Sequence, residues 1–253
     1  MKFPFVSTLD VVERWTVVLA VVISLFGAFI APYFLSGSSS TASTASSVPK
    51  VVFIDDGLSR PDNIEIIVLN PDGEPGQHFD GLFQSFVEAY SQQTNILVID
   101  VVGSFGQASP DSIADAVNIA IDEGADIINI SLASEKASMK LESAIQAADE
   151  RNIAVIASTQ SGLEKVVSYP AAFESVIGVY PLSSDGTRYW FSNSVGADIG
   201  VVVPVDGGSS LGAVLTTAQL LNCTSRYDQP KEKLVAILLQ CQSPIFSFHR
   251  ASP

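Results

Sequence analysis

The chain has 253 residues, of which 47% are hydrophobic and 16% charged, with a formal net charge of -14 at pH 7. So acidic a chain, with no cluster of Lys and Arg, excludes nucleic acid as a partner and argues equally against docking on anionic lipid. Two histidines and two cysteines, widely separated, offer no zinc-ligand spacing, so neither a metal nor any other cofactor is expected.

In chain order, residues 1–14 form a short segment carrying Lys2 and Arg14, expected on the cytoplasmic side. The run "WTVVLAVVISLFGAFIAPYFL", Trp15 to Leu35, contains no charged residue and at 1.5 Å per residue reaches roughly 30 Å, enough for one transmembrane helix. A cleavable signal peptide is the competing reading, although its apolar core would be shorter, about 7–15 residues. Residues 36–49, rich in Ser, Thr and Ala, lack the apolar surface to fold and read as a flexible linker. The expected location is therefore a single-pass membrane protein with its C-terminal domain, residues 50–253, outside the cytoplasm.

From Lys50 onward, β-branched runs alternate with amphipathic segments, the pattern of a parallel sheet covered by helices. Strands are expected at Val51 to Ile54, Asn95 to Val102, Asp126 to Ser131, Ile153 to Ser158 and Ser175 to Tyr180, all nearly continuous apolar runs as strands buried on both faces should be. "SPDSIADAVNIAIDEG" has a capping Ser109, Pro110 in the first turn and a terminating Gly124; "SMKLESAIQAADERN" repeats the design and ends at Asn152. Two later helices are expected at Ser210 to Leu221 and Gln229 to Gln240.

In such sheets ligands and reactive groups lie beyond the carboxyl ends of the strands. There the chain has Asp55-Asp56-Gly57 after the first strand, "SLAS" after the third, "STQSG" after the fourth, and "GGSSLGA" opening a late helix. Taken alone, Asp55 and Asp56 fit a capped strand-to-loop turn and Ser210 fits a helix N-cap.

Together these motifs resemble the subtilisin-like serine proteases, or subtilases. "VVFIDDG" is similar to the family's strand ending in Ile-Asp-x-Gly, which places Asp55 at the triad aspartate. "GADIINISLAS" is similar to the strand leading into the peptide groove, so that Ser131, Leu132 and Ala133 would line it. "NIAVIASTQSG" is similar to the strand ending at the oxyanion-hole asparagine, with Gln160 in that place. "SYPAAFESVIGV" and "WFSNSVG" match two structural signatures, and "GGSSLGA" resembles the nucleophile motif with Ser210 as the nucleophile. The resemblance runs from about Val51 to Gln240 and implies a three-layer α/β fold with a mostly parallel sheet, here preceded by the N-terminal transmembrane helix.

The catalytic base is the point of departure. A serine hydroxyl needs an imidazole within hydrogen-bond reach and a carboxylate to orient that imidazole. Matching "PGQHFDG" to the family's His-Gly-Thr-His-x-x-Gly aligns Gly76, His78 and Gly81 and leaves Pro75 at the base position. Sliding the chain by three residues makes His78 the base. His249 is the only other imidazole. Ala133 for the groove glycine and Gln160 for the oxyanion asparagine are further departures.

The first expectation is accordingly a membrane-tethered pseudoprotease that binds a peptide or partner protein through the old groove. The alternative is an active membrane-anchored serine endopeptidase using Asp55, His78 and Ser210. A second alternative is a scaffold subunit of a membrane complex. For Cys223 and Cys241, a disulfide and a pair of buried free thiols both remain open.

Overall fold

The computed structural model describes residues 48–59, 64–73, 78–241 and 247–251. The expected cytoplasmic segment, transmembrane helix and most of the linker fall outside these residues, as does Pro75. Among the described residues no helix is long and apolar enough to cross a membrane.

The described residues form eight strands in one sheet, in the order β2-β3-β1-β4-β5-β6-β7-β8. They are β1 (Lys50–Asp55), β2 (Glu65–Val68), β3 (Asn95–Asp100), β4 (Ile127–Ile130), β5 (Ala154–Ser158), β6 (Val176–Leu182), β7 (Ile199–Val202) and β8 (Phe248–Arg250). Every pairing is parallel except that of β7 with β8. All five expected strands are present. The short β2, β7 and β8 are not among those five, because four, four and three residues are too few to establish a periodicity.

Among the described residues five helices cover the sheet: α1 (Phe79–Ala89), α2 (Pro110–Asp122), α3 (Met139–Asp149), α4 (Gly208–Cys223) and α5 (Lys231–Gln240). The start and stop signals operate as read. The Ser109 side chain accepts from Ser112 N at the head of α2, Ser138 does the same from Leu141 N at the head of α3, and Gly124 and Asn152 end the two helices at φ 71° and 57°. α4 begins two residues before Ser210, which therefore sits in its first turn.

Successive strand residues face opposite sides, and β1 shows how this builds the layers. Val51 and Phe53 belong to the core shared with α1, α4 and α5, whereas Val52 and Ile54 belong to the core shared with α2 and α3. The same alternation sends Asp55 to the α1 and α4 side. On β4 it aligns Ile127 and Asn129 with that face, and Ser131, just beyond the strand, continues the series. Asn129 is fully buried; its amide donates to Thr217 Oγ1 on α4 at 2.9 Å and its carbonyl accepts from Ser131 Oγ at 2.9 Å. A polar side chain inside an otherwise apolar strand is thus fully engaged, and it ties the sheet to the helix that carries Ser210.

Cys223 and Cys241 form a disulfide closing a separation of 18 residues between the end of α4 and the end of α5. Of the two alternatives left open by the sequence, the bridge is the one present.

Beneath α1, Phe53 packs against Phe79 and Phe86 with ring centroids 5.2 and 5.0 Å apart, and Phe83 lies edge-on at 6.4 Å. This aromatic cluster seats α1 on β1. Phe53→Ala is expected to destabilise the domain by about 3–5 kcal/mol, the usual cost of emptying a buried aromatic site, measured by urea unfolding.

Candidate functional site

The carboxyl ends of β1, β4 and β5 and the first turn of α4 surround one cleft of about 740 Å³. Its walls include Asp55, His78, Ser131, Leu132, Ala133, Gln160 and Ser210, so the described residues to which the resemblance gives a site role all lie on one cavity. The position is the one a parallel sheet dictates, since its strands all deliver their following loops to the same edge.

The Asp55 side chain is buried, 1% exposed, while that of His78 is 46% exposed, and the imidazole Nδ1 lies 2.8 Å from Asp55 Oδ1. Burial pushes the Asp55 carboxyl up to about 6, against the opposing pull of the His78 hydrogen bond. Its second oxygen, Oδ2, is buried without a partner among the described residues, in keeping with that direction. The hydrogen bond to Asp55 holds His78 above its ordinary 6.5, with partial burial working the other way. A carboxylate on Nδ1 leaves Nε2 as the nitrogen facing other partners and fixes the imidazole tautomer.

Ser210 Oγ donates to the Ser131 carbonyl at 3.0 Å, and the adjacent Ser209 Oγ donates to the Thr159 carbonyl at 2.5 Å. Gly208, at φ 59°, gives the chain the left-handed turn from which α4 starts. The N–H groups of that first turn are orphan donors at the positive end of the helix dipole, a suitable environment for an anion formed beside Ser210.

Gln160 stands on the cleft with its polar groups engaged. Its side-chain amide donates to Glu135 Oε1 at 2.8 Å, on the rim of the cleft, and its backbone N–H donates to Ser168 Oγ at 3.0 Å. Two polar groups escaped the sequence reading. Asn129 was detectable as a lone amide in "IINIS". Ser209 was hidden by its neighbour, because adjacent serines at a helix start give no signal of which one is anchored.

A buried carboxylate, an imidazole bound to it through Nδ1, and a serine at a helix N-terminus, all in one cleft over a parallel sheet, define a subtilisin-like α/β domain. The match to the model of the subtilase family, over residues 73–234, carries the assignment further: the chain belongs to that family. M-protease of Shouchella clausii (strain KSM-K16) is 30% identical over 213 residues, covering 78% of this chain and 55% of that protein. Subtilisin DY of Bacillus licheniformis is 34% identical over 114 residues, covering 44% and 41%. The chain thus spans only about half the length of these relatives. Among solved structures, the self-cleaved protease domain of PatA superposes with a TM-score of 0.59 at 19% identity, covering 78% of this chain and 89% of that one, a likeness of fold.

The Asp55–His78 contact has a measurable signature. Asp55→Asn removes the main cause of the raised His78 value, so an NMR titration of the imidazole is expected to give a midpoint above 6.5 in the native chain and a lower one in the variant.

Proposed function

We propose that the domain is a serine endopeptidase with Asp55, His78 and Ser210 as its triad. The observation that carries this reading is the 2.8 Å contact of His78 Nδ1 with the buried Asp55, in the same cleft as Ser210. It favours the register in which His78 is the base over the one in which Pro75 replaces it. The protease names of the relatives, M-protease and subtilisin DY among them, point to peptide-bond hydrolysis as the reaction class.

In this mechanism the peptide lies along Ser131, Leu132 and Ala133. Ser210 Oγ releases the Ser131 carbonyl and attacks the scissile carbonyl carbon while His78 Nε2 takes its proton. Asp55 holds Nδ1 and stabilises the imidazolium as it forms. The oxyanion develops at the head of α4, within reach of first-turn N–H groups. His78 then returns the proton to the departing amine, and water repeats the sequence on the acyl enzyme. Attachment to a membrane through Trp15 to Leu35, with the domain outside the cytoplasm, belongs to the same proposal; the Cys223–Cys241 disulfide supports an oxidising compartment.

A second reading, a peptide-binding pseudoprotease, rests on one specific observation: the Gln160 amide is engaged by Glu135 and so is not free to donate to an oxyanion. Loss of one such donor costs about 100–1,000-fold in rate, which slows an enzyme without abolishing it. Turnover therefore remains the favoured reading.

A fluorophosphonate probe separates the two. Covalent labelling of Ser210 is expected, falling at least about 1,000-fold in His78→Ala, within the range that a general base contributes. The base must be neutral to accept a proton, so labelling is expected to rise with pH through a midpoint above 6.5, the direction in which His78 is shifted. Absence of labelling across that whole pH range would favour the pseudoprotease.

A further inference from the structure

The two consecutive carboxylates at the end of β1 do different work, and the second is not accounted for by the triad. α1 starts without a local cap: His78, which precedes it, has helical dihedrals of -90° and -46°, and its side chain makes no capping hydrogen bond. Its ring is committed to Asp55 instead. The N–H groups of the opening turn nevertheless need acceptors.

Asp56 supplies them from 22 and 23 residues away. Its Oδ2 accepts from His78 N at 2.7 Å and its Oδ1 from Phe79 N at 2.8 Å. Asp56 is 6% exposed, and a carboxylate at a helix N-terminus is also favoured by the dipole. The tie is reciprocal. Asp80, in the first turn of α1, accepts from Ser59 N at 3.0 Å and from the Ser59 hydroxyl, in the loop that follows Asp56. Strand end and helix start are thus bound in both directions, with Gly57 at φ 74° turning the chain between them.

From this geometry we infer that Asp56 is the positioning residue of the base: it fixes the backbone of His78, and only that placement lets the imidazole meet Asp55. The inference rests on the triad reading above. The carboxylate also borders the cleft, which raises a different role, attraction of a basic substrate side chain. Both of its oxygens are already taken by backbone donors, which favours positioning. Because displacement of a catalytic group by 1 Å costs about 100-fold, a clamp on the backbone of His78 is felt in the chemical step and not in substrate binding.

The test uses the full chain and the variants Asp56→Ala and Asp56→Asn, with four readouts: the rate of Ser210 labelling by a fluorophosphonate, the low-field proton resonance of His78 Nδ1, KM for uncharged peptides and for peptides containing Lys or Arg, and far-UV circular dichroism. Asp56→Ala is expected to lose the resonance and to label about 100-fold more slowly while keeping the native spectrum. KM for an uncharged peptide should stay within about threefold of the native value. Asp56→Asn keeps one acceptor oxygen and is expected to fall between the two, and it decides the matter alone if the alanine variant does not fold. A folded Asp56→Ala with native resonance and labelling would overturn the inference. So would an Asp56→Asn whose only defect is a raised KM for peptides containing Lys or Arg. Should the native chain itself fail to label, the endopeptidase reading falls, and the resonance still tests Asp56: its persistence in Asp56→Ala overturns the inference, its loss sustains it.

Discussion

A carboxylate taken into the protein interior is the constraint around which this domain is arranged. Asp55 ends β1 fully buried, flanked by β3 and β4, where a negative charge is costly unless hydrogen bonds compensate it. Part of the compensation is local, from the Asp56 N–H, which donates to Asp55 Oδ1 at 2.9 Å; the rest arrives from the face shared with α1 and α4, because the strand alternation that buries Phe53 on that side sends Asp55 to the same side. His78 supplies the latter, from the start of a helix that Phe79, Phe83 and Phe86 seat on Phe53 beneath. The apolar packing of α1 and the electrostatics of the cleft are therefore one problem with one solution.

A second constraint links the opposite wall. Ser210 is placed by α4, a helix whose residues are buried around most of its circumference, and α4 is held to the sheet through Thr217 and Asn129 as well as by apolar contact. Ser131, which receives the Ser210 hydroxyl on its carbonyl, donates its own hydroxyl to the same Asn129. Ser210 and the segment that follows β4 thus share a buried amide as a common support, and a disturbance of one is carried to the other.

Much of this was legible in the amino-acid sequence, for identifiable reasons. Long apolar runs such as "NILVIDVV" and capped periodic segments such as "SPDSIADAVNIAIDEG" carry their own evidence, and each is found where it was read. Strand ends were legible too, since Asp55, Ser131 and Gln160 follow apolar runs directly. What the sequence concealed was set by packing across distant segments. The register of "GQHFDG" rests on motif identities that favour Pro75, while the spatial position of His78 depends on where α1 docks, which no local pattern encodes. Gln160 could be read as an oxyanion donor because its competitor, Glu135, lies 25 residues away in sequence. Asp56 looked like a turn residue for the same reason, its partners being the backbone of a helix beginning more than twenty residues later.

The margins of the sheet have a consequence of their own. Its two outermost strands are β2, four residues long and headed by Glu65, and β8, three residues long with exposed His249 and Arg250. Short, charged borders of this kind offer a neighbouring molecule little template for adding another strand. Under the proposed endopeptidase reading, an extended peptide entering the cleft has to be kept from pairing elsewhere along the backbone, and the described borders of the sheet give it little place to align.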